Sequence, residues 1–295
     1  MSVSTHSIEL GEFECLIIQD QAATMPLTDL VANAEPEQLE QVSLKLGLSG
    51  EGIAVGYNCL LVRTGKQNVL VDAGFGQSVE GREGALLQGL ESAGLGAEQI
   101  DRVVITHADR DHIGGILDPQ RAFVFPNAGY VLWQRAWDFW QYEYDLQDWP
   151  QEMVAFVRRT MSRMEHRLQL VEAEEEFLPG MRILPAVGHR HDHVVVEISS
   201  GDKRLLHLAD AVIHPLFIAE PDWASTYDSV PEQALAAKER LLDQAASEDA
   251  LLFGAHFPFP GLGSVKRDKK GWKWLPATVG GGIDDLSESV RLDES

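Results

Sequence analysis

Four residues able to bind a divalent metal fall within six positions of Val103-Val-Ile-Thr-His107-Ala-Asp109-Arg-Asp111-His112-Ile-Gly114-Gly115. They come directly after a β-branched run of the kind that forms a strand buried on both faces. A strand end followed by a tight loop can aim several side chains into one cavity, and Gly114-Gly115 permits close turning before a helix. Histidine and carboxylate suit zinc and related divalent ions. The same pattern, an apolar run closing on a polar residue, recurs downstream. His189 follows 182–188, with His193 four residues later; Asp210 follows 205–209; His256 follows 251–255. Taken singly, each downstream residue reads more readily as a hydrogen-bonded structural residue than as a ligand; the first motif reads first as a metal site and second as a polar loop with helix-capping aspartates. Together they supply seven ligands, which is what two metals sharing a bridging carboxylate and a water need.

Around these positions, short Val/Ile/Leu-rich runs predict strands over 59–63, 69–72, 103–106, 130–133, 182–185, 194–198, 204–208 and 251–254. Helices are predicted over 36–46, 84–93, 151–163 and 231–247; the last opens on a proline suited to a first helical turn. Strands alternating with helices give an α/β protein in layers. No internal repeat or linker divides the chain, so one domain over 1–295 is expected, with the Gly-, Asp- and Ser-rich segment from 280 onward as a surface tail. Trp133, Trp137 and Trp140 share one helical face in an aromatic stretch reaching Trp149. Core packing is the first reading of that stretch, and an apolar lid over a substrate the second.

A formal net charge of −22 disfavours nucleic acid and anionic membrane as partners. It leaves a small molecule as the expected partner, neutral or apolar in view of the aromatic stretch, with a homodimer left open. Cys15 and Cys59 sit in apolar runs and read as buried free thiols. The first residues lack a basic region followed by an apolar one, and no apolar run reaches the ~20 residues that span a bilayer. A cytoplasmic location is the expectation.

In motif order and over most of its length the chain resembles the metallo-β-lactamase superfamily. The family pattern is His-x-His-x-Asp-His, then a later His, an Asp and a last His. Val71-Asp72-Ala-Gly74 looks like its Asp-x-Gly turn, and Gly188-His189 with His193 resembles its Gly-His-x-x-Gly-His stretch. Ala255-His256-Phe-Pro-Phe-Pro-Gly-Leu-Gly263, with Asp210, His214-Pro215 and Pro221-Asp-Trp223, is similar to the branch holding methyl parathion hydrolase and lactonase-like hydrolases. The resemblance implies a four-layer αββα sandwich and two divalent ions, zinc by family habit. His107, Asp109 and His189 would hold one ion, Asp111, His112 and His256 the other, and Asp210 would bridge them. Asp72 would orient a ligand imidazole, and His193 would be structural. The reaction implied is hydrolysis of a small ester, lactone or phosphotriester by a hydroxide shared between the metals, with Asp111 orienting it.

Two positions depart from the pattern. The family's second histidine is Asp109 here. A carboxylate adds charge and a harder donor, which argues for manganese or iron over zinc, or for one weak metal position. Acyl-homoserine lactonases of the fold carry a tyrosine three residues after the bridging aspartate, where this chain has Ile213. His214 beside it is a candidate for the lost proton-transfer role, and equally a structural histidine before Pro215. The alternatives to hydrolysis are an iron-dependent oxidoreductase resembling persulfide dioxygenases and a nuclease-like phosphodiesterase. An exported β-lactamase is not expected.

Overall fold

A computed structural model describes residues 3–45, 52–77, 83–142, 146–269 and 271–277. The expected tail from 280, Leu46 and Tyr144 lie outside the described residues. One sheet holds, in spatial and chain order, β1 (Thr5–Leu10), β2 (Phe13–Met25), β3 (Ile53–Arg63), β4 (Asn68–Val71), β5 (Arg102–Val104), β6 (Gly129–Trp133) and β7 (Leu168–Val171). β1 to β4 pair antiparallel, and β4 to β7 pair parallel. The second sheet runs β8 (Glu176–Leu178), β9 (Met181–Pro185), β10 (Val194–Ser200), β11 (Lys203–His207), β12 (Leu251–Phe253), β13 (Leu262–Asp268) and β14 (Gly271–Pro276). It is antiparallel except for the β11–β12 pair.

The helices are α1 (Leu27–Leu30), α2 (Pro36–Lys45), α3 (Leu86–Ser92), α4 (Arg110–Ile113), α5 (Gln134–Tyr142), α6 (Gln151–Met164), α7 (Leu216–Ala219) and α8 (Pro231–Glu248). One apolar cluster joins the facing strands of both sheets to α3, α5 and α6, through residues such as Leu60, Val196, Leu90, Trp140 and Val157. A second packs α8, by Leu241 and Leu242, on Leu206 and Leu252 of the second sheet. The result is two mixed sheets with helices outside them, the layered α/β sandwich that the alternation predicts. Cys15 and Cys59 are buried free thiols within it.

All eight predicted strands and all four predicted helices are present. Strand 69–72 ends one residue early, because Asp72 takes a left-handed backbone (φ 59°) that breaks the ladder. Helix α8 starts with Pro231 at its first turn and stops at Asp249, also left-handed (φ 50°). Trp133 and Trp140 are buried in the core, Trp140 donating Nε1–H to Asp192 at 2.7 Å. Core packing is therefore what these two rings do. No described helix is long and apolar enough to cross a membrane.

Candidate metal centre

The parallel strands point their carboxyl ends the same way, which is where α/β sheets gather polar side chains. Asp72 follows β4, His107 follows β5, Asp210 follows β11 and His256 follows β12. His189 comes off β9 through Gly188, whose φ of 140° and closeness to the Ala234 backbone exclude a side chain there. A Cβ at Gly115 would collide with the Ala73 carbonyl; its absence lets α4 sit against the turn after β4, with Ala73 N–H donating to His112 O at 2.7 Å. Those close approaches bring His107, Asp109, Asp111, His112, His189, Asp210 and His256 into one cluster.

Within it, His107, Asp109 and His189 form one group whose candidate ligand atoms lie within 4.8 Å of each other, and Asp111, His112 and His256 form another. Asp210 stands between them. Its Oδ1 is 3.1 Å from His112 Nε2 and 3.2 Å from His256 Nε2; its Oδ2 is 3.3 Å from His189 Nε2 and 3.9 Å from His107 Nε2. Asp111 Oδ2 lies 3.5 Å from His112 Nε2 and 3.4 Å from His256 Nε2.

The four rings share one tautomer, and their partners dictate it. His112 Nδ1 meets the Asp72 carboxylate at 2.7 Å, His189 Nδ1 meets Asp228 at 3.3 Å, and His256 Nδ1 meets the Gly56 carbonyl at 3.0 Å. Carboxylates and carbonyls only accept, so each Nδ1 donates. His107 Nδ1 meets Thr106 Oγ1 at 3.1 Å; that hydroxyl already donates to Asp72 at 2.7 Å, so His107 Nδ1 donates as well. Every Nε2 therefore carries a lone pair facing the others when the ring is neutral. His107 Nε2, His112 Nε2, His189 Nε2 and Asp210 Oδ1 are buried and make no aligned hydrogen bond within the protein. Converging buried lone pairs are costly unless a cation satisfies them, so the donor set fits divalent ions held by imidazole and carboxylate.

The electrostatics carry the same message. Burial raises the Asp210 carboxyl, but His256, His112, His189 and His107 outweigh it and hold it well below the usual range. Burial lowers the His189 ring; Asp210, Asp109 and Asp228 outweigh that and raise it to about 9. His112 and His256 are raised against their burial by Asp210 and Asp111. In the metal-free chain these raised rings stabilise the fold below the unfolded histidine pKa of ~6.5. That contribution fades as pH rises through the folded values, to about 9 for His189. A metal must displace the same protons. Metal retention against a chelator is therefore expected to strengthen between pH 6 and 9, after correction for the chelator's own protonation; a flat profile would contradict it.

His193 belongs to the frame. Its Nδ1 donates to Ala186 O at 3.1 Å and its Nε2 accepts the Asp210 backbone N–H at 3.0 Å, so neither nitrogen is left for a metal. The structure does not bring His214 into the cluster. Its Nδ1 accepts Leu216 N–H at 3.1 Å, it bonds to the Ala54 backbone, and burial lowers it to about 4. Ile213, not His214, faces the cavity. His214→Ala is expected to cost about 1–3 kcal/mol of stability by orphaning that N–H and to leave turnover within about threefold; thermal melting and steady-state rates on the same preparation check both.

Three partners escaped the sequence reading. Thr106 orients His107, Asp228 orients His189, and Arg190 donates Nε–H to Asp109 Oδ1 at 2.9 Å and Nη2–H to Oδ2 at 2.7 Å. Thr106 lies inside the quoted motif; Asp228 and Arg190 carry no local pattern that marks them. The cluster opens into a cavity of about 480 Å³. Its lining includes Met25, Leu30, Val55 and Ile213, with Met153 and Phe156 of α6, beside the charged Arg110, Glu152 and Arg190.

A family model described as the metallo-beta-lactamase superfamily matches residues 52–256. The chain belongs to the metallo-β-lactamase superfamily. Two relatives within reach of sequence comparison are Probable metallo-hydrolase Mb2322c of Mycobacterium bovis and Probable metallo-hydrolase Rv2300c of Mycobacterium tuberculosis. Each is 28% identical over 195 residues, covering 55% of this chain and 59% of the relative. The match thus spans under two thirds of those relatives' length. Among solved structures, AidC, described as a dizinc quorum-quenching lactonase, superposes with a TM-score of 0.88 at 27% identity, over 95% of this chain and 99% of AidC. Hydrolase AbOPH superposes at 0.85 and 21% identity, over 95% and 100% of the two chains, a likeness of fold. The sandwich described above is the fold of this superfamily, and the candidate ligand cluster lies beyond the ends of β4, β5, β11 and β12.

Proposed function

We propose that this chain is a metal-dependent hydrolase of a small, neutral or apolar ester, lactone or phosphotriester. The observation that carries this reading is the convergence of four Nε2 lone pairs and the Asp210 carboxylate on a cavity whose lining joins apolar residues such as Met25, Val55 and Phe156 to the charged Arg110 and Glu152. The metallo-hydrolase names of the mycobacterial relatives and the dizinc lactonase AidC support it. His107, Asp109 and His189 would hold one divalent ion and Asp111, His112 and His256 the other, with one oxygen of Asp210 toward each. Bound there, such ions supply Lewis acidity toward a carbonyl or phosphoryl group and make water acidic enough to serve as a nucleophile near neutral pH.

The chain's own residues do the rest. Asp72, Asp228, Thr106 and the Gly56 carbonyl keep the Nδ1 protons in place, so that the Nε2 lone pairs stay aimed inward. Asp111, at the cavity floor and partly exposed, is placed to accept a hydrogen bond from an entering water and orient it. Met25, Leu30, Val55, Met153 and Phe156 offer apolar area to the substrate. Zinc is the first metal to try, with manganese and iron beside it.

The test is a screen of lactones, aryl esters and phosphotriesters on protein loaded with zinc, manganese or iron. Turnover of at least one class, lost on chelation and restored by metal, is the expected result. Metal-loaded protein inert across all three classes would refute the proposal.

A further inference from the structure

We propose that Arg190 is a positioning residue that cancels the charge of Asp109 toward the metal centre, so that the Asp109–Arg190 pair stands in for a neutral histidine. The inference rests on the metal-centre reading above. Asp109 replaces an imidazole with a carboxylate, and Asp111 and Asp210 already bring negative charge to the cluster. Both Asp109 oxygens accept from Arg190, at 2.9 Å to Nε and 2.7 Å to Nη2. This bidentate fork is the geometry that suits guanidinium and that lysine cannot copy.

The guanidinium is not free to swing away. Its Nη1 donates to the carbonyls of His189 at 2.9 Å and Tyr227 at 2.5 Å, and reaches Ser229 Oγ at 3.3 Å. The preceding carbonyl and the 227–229 segment thus hold it beside Asp109. Arginine does not lose its proton in proteins, so this charge is permanent. Asp109 Oδ2 still lies 3.5 Å from His189 Nε2 and 3.7 Å from His107 Nε2, on the side where those lone pairs converge. Asp109 Oδ2 is thus shared between Arg190 Nη2 and the two imidazole nitrogens. The centre keeps the formal charge it would have with histidine at 109. The charge argument for manganese or iron falls away, and the harder oxygen donor alone remains.

The arrangement makes a prediction that a merely structural arginine would not. Asp109→His alone restores an imidazole but leaves a half-buried guanidinium facing a dication. Removing that charge should then repair the site. Full-length protein carrying zinc is dialysed against graded chelator, and retained zinc per chain is measured by mass spectrometry. Wild type should hold both ions. D109H should lose one of them at about tenfold or more lower chelator. D109H/R190K, which keeps the charge, should behave like D109H. D109H/R190Q and D109H/R190M should recover to within about threefold of wild type. Circular dichroism on each variant establishes that it is folded, and two neutral replacements guard against one failing to fold.

Zinc held by D109H as tightly as by wild type would overturn the proposal. So would recovery with lysine equal to recovery with glutamine, which would make the effect packing and not charge. Folded neutral double variants that stay weak would also overturn it, since the carboxylate itself would then be required. Wild type retaining no zinc would instead refute the metal-centre reading, and this inference with it.

Discussion

Asp210→Asn is expected to empty both metal positions and to lower hydrolysis by roughly 10³-fold or more. Asp210 is the one residue whose two oxygens face different imidazole pairs: Oδ1 toward His112 and His256, Oδ2 toward His189 and His107. An amide keeps one of those oxygens, turns the other into an N–H₂ donor and removes the negative charge. The donor would point at nitrogen lone pairs on one side, where a metal is meant to sit. The His193 Nε2 contact is to the Asp210 backbone N–H and survives the exchange, so the loop stays in place. Metal content by mass spectrometry and turnover of whichever substrate class the screen identifies provide the readouts. A variant with near wild-type zinc and rate would remove Asp210 from the centre.

Asp72→Asn tests a residue outside the seven candidate ligands. Asp72 is buried and accepts three hydrogen bonds: Thr106 N–H at 2.9 Å, Thr106 Oγ1–H at 2.7 Å and His112 Nδ1–H at 2.7 Å. With asparagine, one oxygen can still serve Thr106 N–H, but the amide nitrogen takes the place facing His112. Two donors cannot share that contact, so His112 must accept at Nδ1 and carry its proton on Nε2. That proton occupies the lone pair meant for the metal. A loss of about 10–100-fold in metal affinity is expected, the range found for partners of metal-bound histidines. Asp72→Ala should do worse for the fold, about 3–5 kcal/mol, because it breaks a buried ion pair and strands Thr106.

The pH dependence has a definite sign. Burial raises the Asp72 carboxyl, but His112 outweighs it and holds it below its ordinary value. A depressed carboxylate stabilises the fold above its unfolded pKa of ~3.9, and that contribution disappears as pH falls through the folded value. The wild-type acid limb below pH ~4 should therefore be steeper than that of Asp72→Asn. Superposable acid unfolding curves would contradict it.

The strands legible in the sequence are those buried on both faces. β4, β5 and β10 are nearly continuous Val, Leu and Ile because helices cover one side and the opposite sheet the other. β1, β2, β7, β8, β13 and β14 lie outside the predicted strands; β2 is marked only by the apolar run around Cys15, and in β1 and β14 much of the surface is exposed and apolar residues are interleaved with polar ones. The aromatic stretch was legible as a helical face but not by function. Trp133 and Trp140 fill the core, while the aromatic residue that reaches the cavity from this side of the fold is Phe156 of α6.

By itself, the sequence determined the inventory of candidate ligands. An apolar strand that ends in histidine or aspartate declares itself, because burial forces the run and the strand end releases the polar residue. It also determined the layered α/β class, through the alternation of such runs with helices. Tertiary structure alone decided the partners that tune those ligands. Asp228 lies 39 residues from His189, and Arg190 lies 81 residues from Asp109. Hydrogen bonds across such distances depend on how α8 and the two sheets close together, and no local spacing encodes them. Hence His107-Ala-Asp109-Arg-Asp111-His112 marks a candidate centre, whereas the arginine fork on the Asp109 carboxylate is brought in by the fold.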